Sequence, residues 1–169
     1  MRKERTSPWT FVPMREEYGK QICGWRYPAP YTGFNWPAWE LLSERSEEFA
    51  DPAIRREQYE AVVDERGELC GFVQFFPLEG WIRLGLGLKP ERCGQGSGVL
   101  FVASIVRRAM ERSPHHKIDL EVQTFNARAI RVYRKAGFVI ADTYERGTRT
   151  GPDRVHCMVF EGGPNLDMV

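Results

Sequence analysis

Residues 84–100, LGLGLKPERCGQGSGVL, constrain this chain more than any other stretch. An apolar strand ends at Pro90, a glycine-rich loop follows, and a long apolar helix begins near Gly98. The first N–H groups of a helix have no partner within it, and its aligned peptide dipoles leave about half a positive charge at that end. A strand, turn and helix of this kind therefore suits an anion. Gly94, Gly96 and Gly98 allow positive φ and let a ligand approach without meeting a Cβ. A pyrophosphate is the ligand such a turn fits. Two nucleotide patterns are disfavoured: Gly98 is followed by Val99 and Leu100, not by Lys and Ser or Thr, and glycines spaced two apart do not make G-x-G-x-x-G.

At 169 residues and 42% hydrophobic content, the chain has the size of one domain, residues 1–169, able to bury a core. A net charge of +1 argues against a general nucleic-acid partner, whose phosphates need a basic face. No apolar run approaches the roughly 18 to 20 residues of a membrane span. The start, MRKERTSPW, is basic without an apolar segment behind it, so a soluble cytoplasmic protein is expected. Cys23, Cys70, Cys93 and Cys157 lie far apart, and the histidines include one adjacent pair, His115 and His116, so neither a metal site nor a disulfide framework has its usual spacing. The thiols read as free and structural. Cys93 is the exception to watch, because a helix N-terminus can lower a thiol pKa.

Residues 8–14 read as a short edge strand, and Tyr18, Ile22 and Trp25 fall at helical spacing. Residues 25–39, WRYPAPYTGFNWPAW, place aromatic surface between prolines and read as an ordered wall. A second helix follows, with Trp39, Leu41 and Leu42 on its face. The run SERSEEFADP is acidic: a solvated face, or an attraction for a cationic acceptor. Residues 59–64 and 69–76 flank DERGE as a hairpin. In the strand 81–89, Ile82, Leu84, Leu86 and Leu88 share one face and Arg83, Gly85 and Gly87 the other. The glycines leave a slot there, in which a ligand arm is expected to pack. The helix 98–112 ends before Pro114.

Residues 118–125, IDLEVQTF, alternate as a strand, after which Asn126 caps a short helix that stops at Gly137. The spacing N-x-x-A-x-x-x-Y-x-x-x-G-F, carried by Asn126, Ala129, Tyr133, Gly137 and Phe138, resembles a signature of the GCN5-related N-acetyltransferases. The earlier loop is similar to that family's coenzyme A loop, Gln/Arg-x-x-G-x-G/A, with Gly96 and Gly98 at the small positions and Cys93 where Gln or Arg is usual. The two signatures stand in family order and cover about residues 81–140. Strands 139–146 and 154–161 and a loose tail at 162–169 complete the chain.

The resemblance implies an α/β (α+β) fold: a mixed, mostly antiparallel sheet of about six to seven strands, splayed between strands 4 and 5 and flanked by about four helices. Acceptor-side helices and the aromatic wall would occupy 14–50 and the acetyl-CoA core 81–140. It implies an acetyl-CoA-dependent N-acetyltransferase that moves an acetyl group to a primary amine by direct attack in a ternary complex; the alternative is a non-catalytic acyl-CoA-binding or regulatory module. Leu120-Glu121-Val122 matches the LEV triplet of the family's ribosomal-protein acetylases, which makes Glu121 a general base acting through water. Otherwise it is a solvated or salt-bridged strand carboxylate. Tyr133 stands at the family's general-acid position and would hydrogen-bond the leaving thiolate, or it is a core tyrosine. The Leu88 backbone would polarise the acyl oxygen. Coenzyme contacts fall to Leu86, Leu88, Arg92, Cys93, Gly94, Gln95, Gly96, Ser97, Gly98, Asn126, Ala129, Tyr133 and Lys135. Trp25, Tyr31, Phe34 and Trp36 would face a small-molecule or peptide amine. No metal, nucleic acid or membrane is implied. The protein would be a monomer or homodimer.

Overall fold

A computed structural model of the chain describes residues 7–162. The expected tail at 162–169 lies outside the described residues except for Gly162. Among the described residues seven strands form one mixed sheet: β1 (Thr10–Pro13), β2 (Tyr59–Val63), β3 (Leu69–Leu78), β4 (Trp81–Leu88), β5 (Lys117–Gln123), β6 (Phe138–Thr148) and β7 (Gly151–Phe160). Their order is β1-β2-β3-β4-β5-β7-β6. Five α-helices accompany them: α1 (Glu16–Gly24), α2 (Trp39–Arg45), α3 (Pro52–Gln58), α4 (Gly98–Arg112) and α5 (Ala127–Lys135). The helix beyond the expected four is α3, begun by Pro52 and capped by Asp51, whose carboxylate accepts from the amides of Ala53 and Ile54 at 2.8 and 3.0 Å.

The β4–β5 pair is parallel, and its register runs from Trp81 opposite Lys117 to Leu84 opposite Leu120. The recorded pairing stops there although β4 continues to Leu88 and β5 to Gln123. Lys89 donates its amide to the Cys70 carbonyl of β3 at 2.8 Å. Backbone groups alternate sides along a strand, so those of Leu86 and Leu88 face away from β3.

The chain divides into two compact units whose boundaries fall within β3 and β4. One comprises residues 9–74 and 86–93. Its core joins Ile22 of α1, Leu42 of α2, Phe49 and Tyr59 with Trp25 and Phe72. Phe49 is its hub, edge-on to Trp36 and Tyr59 at centroid distances of 4.8 and 5.5 Å. The hairpin turn is fixed by Asp64, whose carboxylate accepts from the amides of Arg66 and Glu68 at 2.9 and 3.0 Å.

At Gly87 the strand face expected to hold a ligand arm is filled by a side chain of the same unit. A Cβ on Gly87 would lie 2.3 Å from the Phe72 ring, so Gly87 is small to admit Phe72. The acidic run is likewise not one uniform solvated face. Glu48, at φ 51°, turns inward to accept from the Tyr59 hydroxyl and, at 3.3 Å, from Gln74.

The other unit comprises residues 1–8, 75–85 and 94–169, of which 7 and 8, 75–85 and 94–162 are described. Its core is built from Phe101, Val102, Ile105 and Val106 of α4, with Ile118, Leu120 and Val122 of β5, Phe138 and Met158. The β5 alternation sends these three inward and leaves Asp119, Glu121 and Gln123 on the opposite face.

Candidate active site

Residues 93–98 turn the chain from the end of β4 into α4. Gly94 and Gly96 take φ of +74° and +79°, and nothing lies within 4 Å of a Cβ built on either, so their freedom serves conformation and access. Gly98 has another reason to be small: a Cβ there would lie 3.3 Å from Val132 of α5. Ser97 precedes α4 without a side-chain cap, and no acidic residue occupies the first turn. A helix start without a side-chain cap, behind a glycine turn, is chemically suited to phosphate oxygens.

The Cys93 amide donates to the Pro90 carbonyl at 3.2 Å, closing a short 3-10 turn, Pro90–Arg92. Its thiol donates toward the carbonyls of Leu88 and Lys89, both at 3.6 Å. Arg92 pairs with Asp64 at 2.5 Å, and the Glu68 amide, followed by Arg92 and the Arg66 amide, holds the Asp64 carboxyl below its ordinary range. Gln95 and Lys135 are exposed.

At the end of β4, Tyr27 donates its hydroxyl to the Leu88 carbonyl at 2.7 Å. Its own amide donates to Asn35 Oδ1 at 2.7 Å, and its ring meets Phe34 edge-on. Burial pushes the Tyr27 phenol well above its ordinary range. The one signal Tyr27 has in the sequence is its place among residues 25–39, whose prolines fix where each aromatic goes. Of the residues expected on the acceptor side, Tyr31 and Phe34 are half-buried and stacked on each other, with centroids 6.1 Å apart. Trp25 is buried in the core against Phe72, and Trp36 is half-buried between Phe49 and Phe72.

In the unit that carries α4, Asn126 caps α5, its side chain accepting from the Ala129 amide at 3.1 Å. Gly137 ends that helix at φ 104°. Tyr133 is half-buried with its ring edge-on to Phe138, and burial pushes its phenol up to about 12.

On the polar face of β5, Arg83 of β4 grips Asp119 with two hydrogen bonds, 3.0 and 2.8 Å, and reaches Glu121 at 3.2 Å. Arg146 of β6 meets the same Glu121 oxygen, Oε1, at 2.5 Å, and the Tyr144 hydroxyl donates to Oε2 at 2.6 Å. The Cys157 thiol of β7 donates toward Asp119 at 3.5 Å. Asp119 raises the Arg83 pKa, and burial raises those of Tyr144 and Cys157. Glu121 is thus an ion-paired strand carboxylate, its side chain only 8% exposed. Among the described residues, no group of three His, Cys, Asp or Glu side chains could hold a metal ion. No helix among them is long and apolar enough to cross a membrane.

A sequence model of the acetyltransferase (GNAT) family matches residues 20–138. The chain belongs to that family. It is an N-acetyltransferase on that ground. No curated protein matches it significantly. Among solved structures, a Vibrio cholerae spermidine N-acetyltransferase carrying a short segment of human sequence superposes with a TM-score of 0.71. It shares 19% identity, over 91% of this chain and 95% of its own. The Vibrio cholerae enzyme in complex with CoA and spermine gives 0.65 at 19% identity, over 92% and 96%. A dodecameric form of that enzyme gives 0.66, also at 19%, over 92% and 94%. At such identity these likenesses establish the GNAT fold.

Proposed function

We propose that this GNAT protein transfers the acetyl group of acetyl-CoA to a primary amine by direct attack within a ternary complex. The observation that carries the proposal is the turn at residues 94–98, where positive-φ glycines lead into a helix start without a side-chain cap. The amides of that turn bind the donor's pyrophosphate. The Leu88 amide, on the side of β4 away from β3, supplies a hydrogen bond to the acyl oxygen as negative charge develops there.

An ordinary primary ammonium has a pKa near 10.4, so at neutral pH fewer than about one acceptor in a thousand carries a free lone pair. Glu121 is the group that takes the proton. As nitrogen bonds to the acyl carbon, the carbon–sulfur bond breaks, and the excess proton left on nitrogen passes to the departing sulfur, which leaves as the CoA thiol; until that proton arrives the thiolate needs a partner. Tyr133 meets it as a hydrogen-bond donor. Moving a proton fully from a phenol near 12 to a thiolate whose ordinary pKa is near 8.5 climbs roughly 5 kcal/mol, so donation without transfer is the cheaper role.

The acceptor is a small-molecule or peptide amine. The spermidine enzymes that share the fold make polyamines the first acceptors to try. The test is thiol release from acetyl-CoA across a panel of polyamines, amino acids, aminoglycosides and peptides, alongside calorimetric binding of CoA. Saturable, amine-dependent release supports the proposal. CoA binding with no release on any amine would leave a binding module in its place.

A further inference from the structure

Glu121 is poorly placed to meet an amine itself. Its side chain is 8% exposed, and both guanidiniums occupy Oε1, Arg83 at 3.2 Å and Arg146 at 2.5 Å. A carboxylate offers about four lone-pair sites over two oxygens, so Oε2 is where a proton can still be received. The group on Oε2 is the Tyr144 hydroxyl, 2.6 Å away and donating. A hydroxyl that donates its one hydrogen keeps acceptor capacity of its own. Glu121 is also the first β5 residue beyond the last recorded pair with β4, Leu84 opposite Leu120.

We infer that Tyr144 is a catalytic residue that relays the acceptor's proton to Glu121. This rests on the base role proposed above for Glu121. The ammonium N–H bond breaks as its proton binds Tyr144 Oη, and the Tyr144 O–H bond breaks as that proton binds Glu121 Oε2. Tyrosine is neutral before and after, the amine becomes neutral, and the carboxylate becomes a carboxylic acid. The two transfers are concerted, because a phenolate would add an anion to a place that already holds Glu121 and Asp119. The charged and titratable groups that face the pair are Arg83 of β4, Asp119 of β5, Cys157 of β7 and Arg146 of β6. Two guanidiniums balance two carboxylates there, so passing a proton from the amine to Glu121 moves charge without adding any.

An amine that arrives protonated gives up two protons, the first through the relay to Glu121 and the second to the departing sulfur, whereas one that arrives neutral gives up only the second. Ethylamine and 2,2,2-trifluoroethylamine are close in size, but the second is already neutral at neutral pH. Tyr144→Phe is expected to lower kcat/KM for ethylamine by roughly 100-fold and for trifluoroethylamine by less than about threefold. Glu121→Gln is expected to show the same selective loss, and the double variant no greater one, because the two residues serve one step. In the wild type, rate against deuterium fraction should be bowed with ethylamine, as two protons in flight require. Equal loss on both amines, no loss on either, or a linear deuterium dependence overturns the relay while leaving the transferase intact. A wild type that transfers to neither amine nor to any acceptor in the panel overturns the transferase and the relay with it.

Discussion

Tyr133 keeps its proton more firmly than an ordinary phenol because partial burial disfavours its phenolate, and that decides which of two roles it plays. As a hydrogen-bond donor to the thiolate it acts on the leaving group alone. Tyr133→Phe should therefore lower kcat by about 10 to 100-fold while changing CoA affinity by less than about threefold. Steady-state kinetics paired with calorimetry checks both numbers, and an unchanged kcat would reduce Tyr133 to a packing residue against Phe138. Glu121 shows the opposite situation, a charge surrounded by donors from two strands. Tyr27 shows a third, a hydroxyl spent on one backbone carbonyl at the end of β4.

At the scale of elements, β4 is held by contacts on its glycine face. Gly87→Ala puts a methyl carbon 2.3 Å from the Phe72 ring, and an overpacked core of this kind costs about 1 to 3 kcal/mol. Urea denaturation should register that loss; a variant as stable as the wild type would mean that Phe72 moves aside freely. This contact also marks the limit of what the sequence conveys. The hairpin around Asp64, the start of α4 at Gly98 and the cap and stop of α5 at Asn126 and Gly137 were legible, because each is set by neighbours a few residues away. Phe72 against Gly87 was not, since two residues fifteen positions apart meet only once β3 and β4 stand side by side. The Arg83 network was hidden for the same reason: its members come from four strands, and alternation places each on the right face without saying which partner it finds. The Cys93 amide closes a local turn on the Pro90 carbonyl, a pairing the residue types alone do not announce.

At the scale of the whole molecule, the raised pKa values make stability depend on pH in one direction. The Cys70 thiol is pushed from 9.0 to about 11 and the Tyr133 phenol from 10.0 to about 12, both by burial. The unfolded chain releases these protons near the lower values and the fold keeps them to the higher ones. Between these values the native state therefore binds more protons, and stability falls as pH rises. Melting temperature should hold level up to about pH 9 with respect to these groups and decline from there toward pH 12; a level profile throughout would show that neither group is sequestered. Beneath the chemistry lies the claim that the amides of residues 94–98 hold a pyrophosphate. Calorimetric titration of the wild type with CoA and with pantetheine, which lacks the pyrophosphate, tests it most directly. CoA should bind at least about 100-fold more tightly, roughly 2.7 kcal/mol. Equal affinity for the two, or no binding of CoA, would contradict the account.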